Sequence, residues 1–174
     1  ILVQFINLML KKYNNFMYIF HSTKEYKDII KKYLIDSKLN NFDIVSDENI
    51  KNYLLSNSFF AVAKSGTISL EICNSNVPLI IIYKMNFINF LIIKLLVKVK
   101  YANIINIINN SEIIPELLQE NCNSEKIYQH VESFISNPEL RKNQVLSYQK
   151  TLKGIRLDIP SSEKVSNILK ESLI

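Results

Sequence analysis

Short, continuous apolar runs alternate with stretches of helical spacing along most of this chain, and that alternation constrains its fold more than any single motif does. Residues 16–20, Phe42–Val45, 59–63 and 77–83 each read as a short buried strand. Between and around them, residues 2–13, 24–35, 48–55 and 68–75 place apolar side chains at helical intervals, with Asp47 positioned to cap the third of these helices. Strands that are uniformly apolar must be covered on both faces, so the alternation predicts an α/β fold: a parallel sheet with helices on both faces. From residue 112 onward the pattern turns mostly helical, with segments predicted at 112–119, 124–135, 138–152 and 161–173. No internal repeat or Gly/Ser linker divides the 174 residues, which are read as one domain.

In a sheet of this kind, ligands bind beyond the carboxyl ends of the strands. One of the chain's two glycines, Gly66, sits at such an end, in Lys64-Ser65-Gly66-Thr67-Ile68-Ser69-Leu70-Glu71. Ser65-Gly66-Thr67 is expected to cap the following helix, Ser65 or Thr67 accepting from its first free N–H groups, while Gly66 leaves backbone room for a ligand. A helix N-terminus with open N–H groups favours phosphate. Glu71 lies one turn beyond Thr67 on the same face, where a carboxylate suits a vicinal diol such as that of ribose. The same pattern also describes an ordinary capped helix with a solvated glutamate. Tyr83 and Lys84 end the next strand and fall in the same region.

The balance of residues bounds the partners. A net charge of +5 favours anionic ligands, but the basicity is mostly lysine in a chain crowded with Lys, Asn and Ile. There is no arginine-rich tract and no aromatic-basic interleaving, so nucleic acid is not expected as a partner. Cys73 and Cys122 lack companions at metal-ligand spacing, and with His21 and His130 far apart in sequence no metal site is expected. The two cysteines read as reduced thiols of a cytoplasmic protein. Residues 86–100, from Asn86 to Lys100, interleave Phe87, Phe90, Leu91, Ile93, Leu95, Leu96 and Val97 with Lys94, Lys98 and Lys100. This stretch is too short and too polar to span a bilayer but suits either a packed helix or contact with a membrane surface.

Residues 64–127 carry a resemblance to the C-terminal half of the lipid-A-disaccharide synthase family. It rests on Ser65-Gly66-Thr67 with Leu70-Glu71, on Pro78 and its apolar strand, and on Tyr83-Lys84-Met85. It continues through residues 95–101, Asn106-Ile107-Ile108 and Glu116-Leu117-Leu118-Gln119-Glu120-Asn121-Cys122. The resemblance implies a GT-B glycosyltransferase, two Rossmann-like domains facing across a cleft, of which this chain would be most of the nucleotide-sugar-binding domain followed by a helical tail. The implied reaction joins UDP-2,3-diacylglucosamine to 2,3-diacylglucosamine 1-phosphate with release of UDP, without a metal or other cofactor. Ser65, Gly66 and Thr67 would hold the diphosphate region, Glu71 the ribose hydroxyls, and Asn106 would belong to the nucleotide side of the cleft. Tyr83 and Lys84 would also line the cleft, and Gln119 lies in a family-like segment without an assigned role. The chain departs from the family pattern at Lys84, Ile82 and Ile105, where arginine, glycine and proline are usual.

On this resemblance, the family's glycine-serine-arginine segment and acceptor domain are expected ahead of Ile1. The chain alone is therefore not expected to catalyse transfer. A lipid substrate favours membrane contact through residues 86–100, on the inner face of a bacterial inner membrane. The last helix is expected either to be loose or to drive self-association through Val165, Ile168, Leu169 and Leu173, and pairing of the chain with a separate N-terminal half is the alternative to self-association. Two rival readings are another UDP-sugar GT-B transferase and a UDP-binding or structural remnant without chemistry.

Overall fold

The structure is a computed structural model that describes residues 1–86, 90, 100–155, 165–166 and 168–169. Helix α1 (Leu2–Leu10) leads to strand β1 (Tyr18–His21), α2 (Lys24–Asp36), β2 (Phe42–Val45) and α3 (Glu48–Ser56). Then follow β3 (Ala61–Ala63), α4 (Thr67–Asn74), β4 (Leu79–Tyr83), α5 (Ile104–Asn109) and β5 (Glu116–Leu118). A 3-10 turn (Gln119–Asn121) precedes α6 (Ser124–Ser136) and α7 (Pro138–Ile155). Asp47 caps α3 as its position predicts, its Oδ1 accepting from the N–H groups of Asn49 at 2.9 Å and Ile50 at 3.0 Å.

Every strand pairing is parallel. β1 pairs β2 with Tyr18 opposite Phe42 and His21 opposite Val45. β4 lies between β3 and β5, with Ala61 opposite Leu79 and Ile81 opposite Glu116. Alternate side chains of β4 leave on opposite faces, and each face has its own core. Ile80 packs with Phe5, Ile6 and Met9 of α1 and with Ile127, Val131 and Phe134 of α6. Leu79 and Ile81 pack with Ile72 and Cys73 of α4, Ile105 of α5, and Tyr148 and Leu152 of α7. This is the Rossmann-like α/β arrangement, helices on both faces, that the apolar runs predict, and it fits one half of a GT-B fold. Each fully buried Val, Ile or Leu contributes about 2 kcal/mol, so Val77, Leu79, Ile80 and Ile81 together anchor the whole unit.

Several expectations are corrected. The strands form two sheets, β1-β2 and β3-β4-β5, rather than one, because β1 and β3 do not pair. Residues 112–119 are not a helix: Glu116–Leu118 is a strand. The carbonyl of Pro115, accepting from the Ile81 N–H at 2.9 Å, starts its ladder with β4. Pro115 has no N–H to give a helix, and β4 offers Glu116–Leu118 a partner that local spacing does not reveal. The first strand begins at Tyr18, leaving Phe16 in the preceding loop against the ring of Phe60 at 6.1 Å.

Cys73 and Cys122 are both buried and unbridged, and burial pushes the Cys73 thiol up to about 12, which leaves it unreactive near neutral pH. The 86–100 surface and the helix expected at 161–173 lie largely outside the described residues. Among the latter, Val165, Ile168 and Leu169 are exposed. No helix among the described residues is long and apolar enough to cross a membrane.

Candidate functional site at the carboxyl ends of β3, β4 and β5

The carboxyl edge of the three-stranded sheet gathers the loop after β3, the loop after β4 and the approach to α5. Gly66 is the N-cap of α4 and holds φ at +149° and ψ at −164°, a region that only glycine occupies readily. A Cβ placed there would meet no atom within 4 Å, so the space beside its backbone is open. The turn therefore requires glycine for its dihedral angles and leaves an approach to the backbone.

The capping expectation is corrected. Neither Ser65 nor Thr67 caps the helix: among the described residues no side chain accepts at its N-cap. Ser65 Oγ instead donates to the Ala102 carbonyl at 2.8 Å, because the loop before α5 folds against this turn. Ser69 closes the turn from within, its N–H donating to the Gly66 carbonyl at 3.0 Å and its Oγ to the same oxygen at 2.6 Å. Among the described residues, the first N–H groups of α4 thus have no side-chain acceptor, at the positive end of the helix dipole.

Glu71 is on the outer face of α4, its side chain 40% exposed, and its Oε2 accepts from Lys51 Nζ of α3 at 2.6 Å. Lys51 also pairs with Glu48, and its own side chain is only 9% exposed. This buried lysine, not singled out by the sequence, fixes the orientation of Glu71 and ties α3 to α4. The hydrogen bond from Lys51 is the main cause that holds the Glu48 carboxyl below its ordinary value of 4.5, and the bond to Glu48 in turn raises Lys51. A carboxyl depressed in the folded state stabilises it fully above the unfolded value. That contribution is lost as pH falls through the depressed range below 4.5. Lys51, raised in the folded state, contributes fully below 10.5 and loses its contribution only as pH rises through the higher folded value. Lys51→Met is therefore expected to flatten the acid limb of a urea-midpoint profile below about pH 4.5, where the parent midpoint declines more steeply. An unchanged acid slope in the variant would contradict the pairing.

Asn106 is fully buried and uses its whole amide internally. Its Oδ1 accepts from the N–H groups of Ile113 and Ile114, both at 2.9 Å, and its Nδ2 donates at 2.7 Å to the Ile114 carbonyl and to Glu116 Oε1. No polar atom of this side chain is left over for a ligand. Glu116 extends the network, accepting from the N–H of Asn103 at 2.9 Å and of Ala102 at 2.7 Å. Asn103 then caps α5 through Ile105 N–H at 2.9 Å and donates to Ser69 Oγ at 3.0 Å. The line from Asn106 through Glu116 and Asn103 to Ser69 sets the loop at 101–103 against the start of α4. Asn103 and Ser69 were not legible as site residues, since the partners lie 34 positions apart.

Lys64 Nζ stands 4.6 Å from the centre of the Tyr83 ring, bridging the ends of β3 and β4. Gln119, in the left-handed region at φ +51°, clamps Met85: its Oε1 accepts from the Met85 N–H at 2.9 Å and its Nε2 donates to the Met85 carbonyl at 3.3 Å. Lys84 lines an open cleft of about 460 Å³ along α1 and the start of α6, walled also by Ile1, Gln4 and Ser124. The structure thus brings Ser65, Gly66, Thr67 and Glu71 to one turn and helix, with Tyr83 beside them through Lys64. Asn106 and Gln119 hold backbone in place behind that edge, and Lys84 lies in the neighbouring cleft.

A parallel, doubly covered sheet with a glycine turn opening onto an uncapped helix at its carboxyl edge defines a Rossmann-like α/β protein with a candidate site for an anionic ligand. The family model described as lipid-A-disaccharide synthetase matches residues 1–169. The lipid-A-disaccharide synthase of Rickettsia prowazekii is 37% identical over 176 residues, covering all of this chain and 46% of its own length. That of Rickettsia felis is 39% identical over 172 residues, with 98% and 43% covered, and that of Rickettsia canadensis is 43% identical over 128 residues, with 74% and 32% covered. The chain belongs to the lipid-A-disaccharide synthase family, and it spans less than half the length of these curated relatives.

Proposed function

We propose that this chain is the nucleotide-sugar-binding part of a lipid-A-disaccharide synthase and that its β3–β5 edge binds the UDP moiety of the sugar donor. The observation that carries the reading is the Gly66 turn: a glycine-only backbone beside open space, leading into a helix whose first N–H groups have no side-chain acceptor among the described residues. In this reading the Ser65-Gly66-Thr67 turn receives the diphosphate, and Glu71, oriented by Lys51, accepts from the ribose hydroxyls. Tyr83 lines the cleft beside Lys64, while Lys84, in the neighbouring cleft, is given no contact with the diphosphate. Asn106 and Gln119 act as positioning residues, through Glu116 and Met85. N–H donors aimed at the departing diphosphate stabilise the charge that grows there.

The reaction proposed for the whole enzyme transfers 2,3-diacylglucosamine from UDP-2,3-diacylglucosamine to 2,3-diacylglucosamine 1-phosphate, releasing UDP. The acceptor hydroxyl must lose a proton in that step, and the base is assigned to the acceptor half rather than to these residues. The chain would work at the cytoplasmic face of the inner membrane, reaching the lipid through residues 86–100 and pairing with an acceptor half. The chain incubated with both lipid substrates is expected to release no UDP above background. Steady release of UDP with formation of the disaccharide would overturn the assignment of the base.

A further inference from the structure

Two lysines directly follow neighbouring strands at the carboxyl edge, Lys64 after β3 and Lys84 after β4, and their surroundings differ. Lys84 lines the cleft along α1 and the start of α6. Tyr83, one position before it, leaves β4 on the side of Leu79 and Ile81, the side that α4, α5 and α7 cover. Lys64 is exposed and stands two positions before Gly66, with its Nζ 4.6 Å from the centre of the Tyr83 ring. The ring thus holds an ammonium at the strand ends, next to the Gly66 turn.

The charges around that turn give the ammonium its meaning. Lys51 lies between the carboxylates of Glu48 and Glu71, so its own charge is more than cancelled. Glu116 adds another carboxylate, held only by neutral donors: the N–H groups of Ala102 and Asn103 and the Asn106 amide. Without Lys64 these surroundings lean negative, a poor setting for a diphosphate. Lys64 itself has no carboxylate partner among the described residues. An aromatic face attracts an ammonium without neutralising it, and at an exposed position the attraction is weak. A phosphate oxygen offers the same ammonium a charge-assisted hydrogen bond, and the flexible lysine stem lets Nζ leave the ring to make it. Lys100 is stacked too, but on its sequence neighbour Tyr101 at 5.1 Å, so it ties no two strands together.

We infer that Lys64, parked on the Tyr83 ring, is a specificity-determining cation of this edge: it passes from the ring to an oxygen of the donor's diphosphate and so selects the phosphorylated nucleotide over the bare nucleoside. Tyr83 is its positioning residue, keeping the charge at the strand ends before the ligand arrives. The inference rests on the nucleotide-binding reading of the edge and adds to it the residue that supplies the positive charge.

Calorimetry with UDP and a nuclear magnetic resonance titration with uridine compare the parent chain with Lys64→Gln, Lys64→Arg and Lys142→Gln. Lys142 lies with Asn76 and Pro78 at the opposite end of the sheet, so its variant lowers the net charge equally but away from the turn. Lys64→Gln is expected to weaken UDP binding about tenfold, with a smaller loss in high salt, and to leave uridine within about twofold. Lys64→Arg keeps the charge and can stack on the same ring, and with Lys142→Gln it is expected to stay within about threefold of the parent. Tyr83→Leu is expected to weaken UDP binding severalfold in the parent and no further in Lys64→Gln; losses that add would overturn the part given to the ring. UDP affinity unchanged in Lys64→Gln, or a loss shared equally by uridine or matched by Lys142→Gln, would overturn the inference and leave the nucleotide site standing. A folded parent chain that binds no UDP would overturn the nucleotide reading and the inference with it.

Discussion

Replacing Asn106 with alanine is expected to lower the thermal midpoint by roughly 6–12 °C, the consequence of about 3 kcal/mol in a chain of this size. The substitution removes one side chain and four hydrogen bonds. The N–H and the carbonyl of Ile114 lose the partner that Asn106 gives them, while the Ile113 N–H keeps Ser111 and Glu116 keeps the N–H groups of Ala102 and Asn103. Buried polar groups left without partners carry their full desolvation penalty, which exceeds the net worth of the bonds themselves. Asn106→Asp separates the two halves of the network. Its carboxylate still accepts from Ile113 and Ile114 but places a negative charge where Nδ2 meets Glu116, so it is expected to be destabilised as well, and more so at pH 7 than near pH 4. Differential scanning calorimetry on both variants decides the point. A midpoint within about 2 °C of the parent for Asn106→Ala would contradict the clamp.

Gly66→Val is expected to weaken UDP binding more than tenfold while leaving a folded chain. Gly66 occupies a backbone region that is nearly closed to residues with a Cβ, and occupying it with a branched side chain costs about 1–3 kcal/mol. The turn is expected to relieve that strain by rotating, which moves the N–H groups of Thr67 and Ile68 away from an incoming diphosphate. The open space beside the Gly66 backbone would also be filled. The packing of α4 through Ile72 and Cys73 lies at the other end of the helix, so circular dichroism should report retained helix. Calorimetry with UDP supplies the affinity. Equal affinity in parent and variant would remove Gly66 from the site.

The strands at Phe42–Val45, 61–63 and 79–83 were legible because a short, uniformly apolar run bounded by polar turn residues is stable only as a covered strand. Gly66 was legible because a scarce glycine at a strand end marks a special backbone. The strand at Glu116–Leu118 was not. Ile113, Ile114, Leu117 and Leu118 recur at helical intervals, and only the proximity of β4, some 35 positions earlier in the chain, decides for a strand. Helix α5 escaped for the opposite reason: its six residues are too few for a periodic signal, and its start depends on the Asn103 cap.

The polar clamps are illegible for a common physical reason. Gln144 grips the N–H of Leu79 at 2.7 Å and its carbonyl at 3.0 Å across 65 positions, Gln119 grips Met85 across 34, and Lys51 reaches Glu71 across 20. An amide or ammonium that looks solvated in the sequence takes its role from backbone groups that only the fold brings near. The candidate site divides along that line: the turn residues Ser65, Gly66, Thr67 and Glu71 could be named from local pattern, whereas the residues that hold them in place could not.

The central claim is that the carboxyl edge of β3–β5 binds a nucleoside diphosphate, and isothermal calorimetry of the purified chain with UDP tests it most directly. Saturable binding near one equivalent, weakened severalfold by Glu71→Ala in an equally folded variant, is the predicted result. No heat of binding from a chain that circular dichroism shows to be folded, or binding unaffected by Glu71→Ala, would contradict it.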